Sequence, residues 1–188
     1  MRKIFLVLCI LCATTVGFTA PPSAQPPTQQ DWRARLRAEL PLLGHRNWIL
    51  VVDSAYPLQS TPGVETIETN QKQLDVVRVV LDAVHRTPHV RADISMDAEL
   101  PYIPDADAPG ASAYRAQIAT LLKDHTVHQE LHDSLISLVD DTGRKFHILV
   151  LKTTMTIPYS SVFIRLDCNY WSADAEQRMR ARMSTAKP

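Results

Sequence analysis

Two strongly apolar blocks, 48–52 (Trp-Ile-Leu-Val-Val) and the one from Phe146 to Leu151, broken only by His147, stand out along this chain. An apolar run without alternation suits a strand covered on both faces, as in a parallel sheet. Weaker strand patterns lie at 64–68, 89–95 and 162–166. Between them the apolar spacing becomes helical. Trp32, Leu36, Leu40 and Leu43 share a face behind Asp31, a good N-cap, and Pro41 should end or kink that helix early. Leu74, Val77, Leu81 and Val84 follow Asn70, a second cap, and Tyr114, Ile118, Leu121 and Leu122 predict an inward helical face after the loop-like segment 101–110. A short helix near 131–139, a turn at 140–143 and a charged terminal helix over 173–183 complete the pattern. Strands alternating with helices from end to end predict an α/β fold, a single three-layer domain with a mostly parallel sheet. There is no internal repeat, Gly-rich phosphate loop or nucleophile elbow.

The first 20 residues are set apart from this pattern. Arg2 and Lys3 precede an apolar stretch over 4–18 that is too short for a comfortable membrane span, the form of a secretory signal. Cleavage after Ala20 would leave Pro21 next in line, a poor context, and Ala24 offers the other point. Residues 21–30 read as a Pro-rich tether, 31–170 as the domain, and 171–188 as the terminal helix and tail. The expected location is secreted or periplasmic, with no stable membrane insertion once the leader is removed. Lys and Arg total 20 against 20 Asp and Glu, so no basic field points to nucleic acid. Cys168 is the only cysteine beyond the leader, which excludes an intramolecular disulfide in the mature chain and leaves stability to the core and to subunit packing.

The candidate chemistry begins around the first apolar block. Gly44 can supply a left-handed helix stop that delivers His45 onto a loop, and Asp53 falls at the far end of the 48–52 strand. Ligands of open α/β sheets collect at the carboxyl ends of strands, so Asp53 is well placed for a polar ligand, although it can equally cap the next turn.

Leu43-Gly44-His45, with Asp53 eight residues after the histidine and then Pro57, resembles the amino-terminal signature of the ribose pyranase and fucose mutarotase family. The segment 158–164 (Pro-Tyr-Ser-Ser-Val-Phe-Ile) is similar to that family's Pro-Tyr-Ala-Asn-Ile-Ile. The resemblance covers most of 35–167 and implies interconversion of the cyclic forms of a free monosaccharide without metal or cofactor. It further implies homo-oligomeric rings, often decamers, with sites at subunit contacts. It would make His45 the acid/base imidazole, Asp53 its neighbouring carboxylate and Tyr159 a sugar-contacting phenol. Ser161 stands where the family has a carboxyamide, Thr154-Met155 where it has Gly-Glu, and Asn47 where it often has aspartate. His132, which precedes Asp133 and Leu135, resembles a functional histidine of the ribose branch, given an insertion before Phe146.

Opening a hemiacetal ring needs a base for the anomeric hydroxyl and an acid for the ring oxygen, and an imidazole serves either role. The expected site therefore comprises His45 and Asp53 as catalytic groups, with Tyr159, Ser161 and His132 binding substrate. A non-catalytic sugar-binding protein on the same fold is the alternative. A third reading puts His125, His128 and His132 on one helix as a metal face for a hydrolase, against the simpler picture of three solvated histidines. Trp171 reads as a core or subunit-contact anchor, and Arg178, Arg180 and Arg182 as a solvated helical face.

Overall fold

The apolar block Trp48–Val52 forms strand β1, and all five of its residues are buried. The computed structural model that shows this describes residues 31–185; the leader and tether read over 1–30, and the last three residues, lie outside the described residues. Ile148–Lys152 (β5) runs parallel to β1 with Trp48 opposite Ile148, and Val64–Glu68 (β2) adds parallel to β5. On the other side of β1, Val162–Cys168 (β6) pairs antiparallel. Val90–Asp97 (β3) is antiparallel to β6, and Val127–Glu130 (β4) closes the edge parallel to β3. The six-stranded order is β2-β5-β1-β6-β3-β4. The sheet is mostly parallel, with both antiparallel pairings made by β6.

Side chains of a strand alternate between faces, and β1 divides accordingly. Ile49 and Val51 join Trp32 and Leu36 of α1 (Trp32–Glu39), Val77 and Val80 of α2 (Gln73–His85), and Tyr114 and Ile118 of α3 (Ala111–Leu121). Trp48, Leu50 and Val52 join Leu135 and Val139 of α4 (His132–Gly143) on the opposite face. The result is the three-layer α/β arrangement that the pattern predicts. Each fully buried large apolar side chain contributes about 1.5–3 kcal/mol relative to exposure, which makes β1 the element least able to move. α5 (Ala173–Thr185) stands outside this core, with no buried residue.

Several boundaries differ from expectation for local reasons. α1 ends at Glu39, as Pro41 requires, but Gly44 is not the left-handed residue; Arg46 is, at φ 76°. Asn47 Oδ1 instead accepts from the Gly44 N–H at 2.8 Å, closing the loop by a side-chain turn. α2 begins at Gln73 because Asn70 itself takes φ 52°, a conformation asparagine tolerates, so Lys72 precedes the helix in its place. α4 continues through the expected turn to Gly143, since Val139 and Gly143 are both buried. β4 was not anticipated: it is an edge strand of four residues, none of them buried, and carries little apolar signal.

Gly143 meets Gly63 where the end of α4 crosses the start of β2. A Cβ at Gly63 would lie 2.3 Å from the Gly143 carbonyl oxygen and 2.6 Å from that of Phe146, both backbone atoms that cannot swing aside. Gly63→Ala should therefore destabilise the fold by about 1–3 kcal/mol, the usual cost of overpacking. The check is a lowered urea midpoint at unchanged slope; a midpoint equal to wild type contradicts this packing.

Candidate functional site

The two antiparallel pairings of β6 decide what meets at the carboxyl ends of the neighbouring strands. Because β6 runs against β1 and β3, its start lies beside their ends: Val162 is opposite Val51 on one side and Met96 on the other. One residue further out stand Val52, Ser161 and Asp97, and Asp53, next after Val52, reaches back to the Ser161 hydroxyl. β4 runs parallel to β3 and ends at Glu130, which brings His132, the first residue of α4, to the same edge. A hollow of about 460 Å³ opens there, lined by Asp53, Tyr56, His132, Thr156 and Tyr159 among others.

Asp53 is doubly engaged. Its Oδ1 accepts from the Ala55 N–H at 2.8 Å, the turn-capping role, and its Oδ2 accepts from the Ser161 hydroxyl at 3.2 Å. Tyr159 stands at φ 56°, a strained conformation for an aromatic residue, and its ring meets the His132 ring edge-on with centroids 5.2 Å apart. The strain is held by the next residue. The buried Ser160 carbonyl accepts from Tyr114 Oη at 2.7 Å and from Gln73 Nε2, while its hydroxyl donates to the Ile157 carbonyl at 2.7 Å. Gln73 also donates to Tyr114 Oη at 3.0 Å, and burial pushes that phenol's pKa well above the ordinary tyrosine value.

His132 is fixed at two points. Its backbone N–H donates to the Glu99 carboxylate at 3.0 Å, and its Nδ1 lies 3.0 Å from Asp97 Oδ1. Asp97 is fully buried, and its Oδ2 has no partner among the described residues. Burial pushes its carboxyl above the usual carboxylate range, opposed by the hydrogen bond and charge of His132. An ionised carboxylate only accepts, so in that state Asp97 receives the Nδ1–H, and Nε2 is the ring nitrogen left for other partners. Tyr56 Oη, buried beside the hollow, is likewise unpartnered, and burial followed by the Asp140, Asp97 and Asp53 charges raises its pKa.

Asp53, Tyr159, Ser161 and His132 are thus brought together within one chain. His45 is not with them. It precedes β1, which spans roughly 16 Å at about 3.3 Å per residue, and so lies at the opposite end of the sheet from Asp53. There its Nδ1 is 3.0 Å from Asp167 Oδ1, and Arg91 holds the other oxygen at 2.6 Å. Partial burial pushes the Asp167 carboxyl up, but hydrogen bonds from Arg91, the Cys168 backbone and His45 outweigh this and leave it below its usual range.

The three-histidine metal face does not form. His125 lies in a turn, His128 on β4 with Nε2 3.0 Å from Asp93, and only His132 on α4, because residues 127–130 pair with β3 as a strand. Among the described residues, Glu39, Glu65 and His147 do bring ligand atoms within 4.8 Å of one another. Arg35 already bridges the two carboxylates there, at 2.6 Å to each, and meets the need for positive charge.

Asp97, Gln73 and Tyr56 are supporting residues that sequence reasoning did not single out, and Tyr114 is one it marks only as an inward helical residue. Asp97 ends β3 two residues beyond the strand pattern at 89–95, and only its register opposite Ser161 gives it away. Asp97→Asn should leave the fold intact and disturb the His132 tautomer, seen by ¹⁵N correlation spectroscopy as loss of the pure Nδ1–H form. Because the native carboxyl is raised, the native state binds the extra proton above the unfolded pKa. The protonated carboxyl's contribution to stability is therefore fully present at low pH and lost as pH rises through the native pKa. Wild type should accordingly lose stability relative to Asp97→Asn over that rise. An unchanged tautomer and a flat difference would refute the Asp97 role.

No family model matches the chain, and no curated protein matches it. Solved structures do. The chain is similar to Bacillus subtilis RbsD, whose structure is complexed with D-ribose, with 15% identity and a TM-score of 0.52 over 71% of this chain and 92% of that one. It is similar to FucU from Bifidobacterium longum, with 12% identity and a TM-score of 0.51 over 71% and 94% of the two chains. It is also similar to the fucose mutarotase of Streptococcus pneumoniae, solved with L-fucose, with 14% identity and a TM-score of 0.50 over 74% and 95%. These likenesses establish that the chain has the fold of the ribose pyranases and fucose mutarotases.

Proposed function

We propose that this chain is an exported monosaccharide mutarotase, which opens and recloses the ring of a free sugar by general acid/base catalysis. The observation that carries the reading is the hollow in which the Asp97-oriented His132 faces Tyr159 and Asp53. His132 Nε2 takes the anomeric hydroxyl proton as the bond from the anomeric carbon to the ring oxygen breaks. A second group protonates that oxygen, giving the open aldehyde. Asp53 and Tyr159 hold hydroxyls, and the aldehyde turns and recloses with the protons returned. Solved structures of the same fold hold D-ribose and L-fucose, which supports a monosaccharide ligand.

His45 supplies the second group from a neighbouring subunit. Its side chain is half exposed and its Nε2 has no partner among the described residues, so it is free to reach a site other than its own chain's. A site shared this way makes oligomerisation obligatory for activity. Non-catalytic sugar binding is the second reading, favoured by one observation: both Asp53 oxygens already accept hydrogen bonds within the chain.

Exchange spectroscopy on ribose, fucose and related sugars tests this. Wild type should accelerate anomer interconversion, and His132→Ala and His45→Ala should each reduce the acceleration by about 10²–10⁴-fold. Mixed assemblies of the two variants should regain part of the rate, because some contacts then pair an intact His132 with an intact His45. Binding without acceleration favours the second reading. Neither binding nor acceleration across the panel overturns both.

A further inference from the structure

α5 buries none of its 13 residues, and a helix of that length standing alone in water is marginal. Ala175, Met179 and Met183 recur every four residues along one side of α5, and Trp171, two residues before its start, borders the same hollow. Trp171 is 43% exposed and Met183 64%, and this stripe borders an open hollow of about 510 Å³. The charges are segregated along the same helix: Asp174 and Glu176 lie in the first turn, and Arg178, Arg180 and Arg182 follow. Glu176 accepts from Trp171 Nε1 at 2.8 Å and pairs with Arg180 at 2.6 Å. Asp174, Arg178 and Arg182 have no oppositely charged partner among the described residues.

We propose that α5 is a self-association helix, which pairs antiparallel with α5 of a second copy of this chain. With Trp171 opposite Met183 of the second copy and Ala175 opposite its Met179, the whole apolar stripe is covered twice over. The same register sets the acidic turn of each helix against the basic half of the other. A parallel pair would instead oppose arginine to arginine, a like-charge penalty that selects the antiparallel form. Such a contact is isologous, so it closes on two copies rather than extending into a filament. It does not depend on the sugar reading.

Sedimentation equilibrium on the full chain tests the proposal. Wild type should have a mass that is an even multiple of the chain, and Met179→Asp should halve it, with circular dichroism and urea midpoint little changed because α5 contributes nothing to the core. D174R/E176R makes the helix wholly basic and R178E/R180E makes it largely acidic, so each alone should also halve the mass, while an equimolar mixture restores it. A monomeric wild type, an unchanged mass in Met179→Asp, or no recovery on mixing would each overturn the proposal.

Discussion

The antiparallel seating of β6 between β1 and β3 is the constraint on which the rest of this structure depends. In an all-parallel sheet every strand would begin at one edge and end at the other, and Tyr159 and Ser161, which precede β6, would lie far from Asp53, which follows β1. Reversing one central strand brings its leading residues to the edge where its neighbours finish. The same reversal carries Asp167, near the end of β6, to the opposite edge, where Arg91 and His45 meet it. One topological choice thus creates two polar clusters at opposite ends of β1, whose five residues are all apolar and buried.

What surrounds the first cluster favours a site prepared before any ligand arrives. Tyr159 is held in a left-handed conformation that costs about 1–3 kcal/mol, and the buried Gln73–Tyr114–Ser160 bonds offset it. Asp97 is removed from water with one oxygen unpaired, an arrangement that disfavours its own charge and is tolerated only because His132 completes the other half. A core built purely for stability would place an apolar side chain in either position. Strain and incomplete pairing gathered around one hollow are what a binding or catalytic site requires.

Much of this was legible in the sequence. The unbroken run at 48–52 declared a buried strand and placed Asp53 at its carboxyl end, whereas Tyr159 and Ser161 were named only by the resemblance of the segment 158–164 to a family motif. His45 precedes and Asp53 follows the 48–52 strand, so their separation was legible too; it was the family resemblance, not the strand, that made them neighbours in one site. β4 was hidden because an exposed edge strand of four residues needs no apolar alternation. Its absence from the reading joined His128 and His132 on an imagined helix. Asp97 was invisible for a related reason: its partner is set by register across β3, β6 and α4, three elements distant in sequence.

The central claim is that a free sugar occupies the hollow at the carboxyl ends of β1 and β3. The most direct measurement is a backbone and imidazole NMR titration of the intact protein with ribose and fucose. The account predicts saturable shifts at 53–56, His132 and 159–161, together with the His45 ring where a neighbouring subunit supplies it. Shifts confined to the surroundings of Arg91 and Asp167, with Asp53, His132 and Tyr159 unmoved, would contradict it.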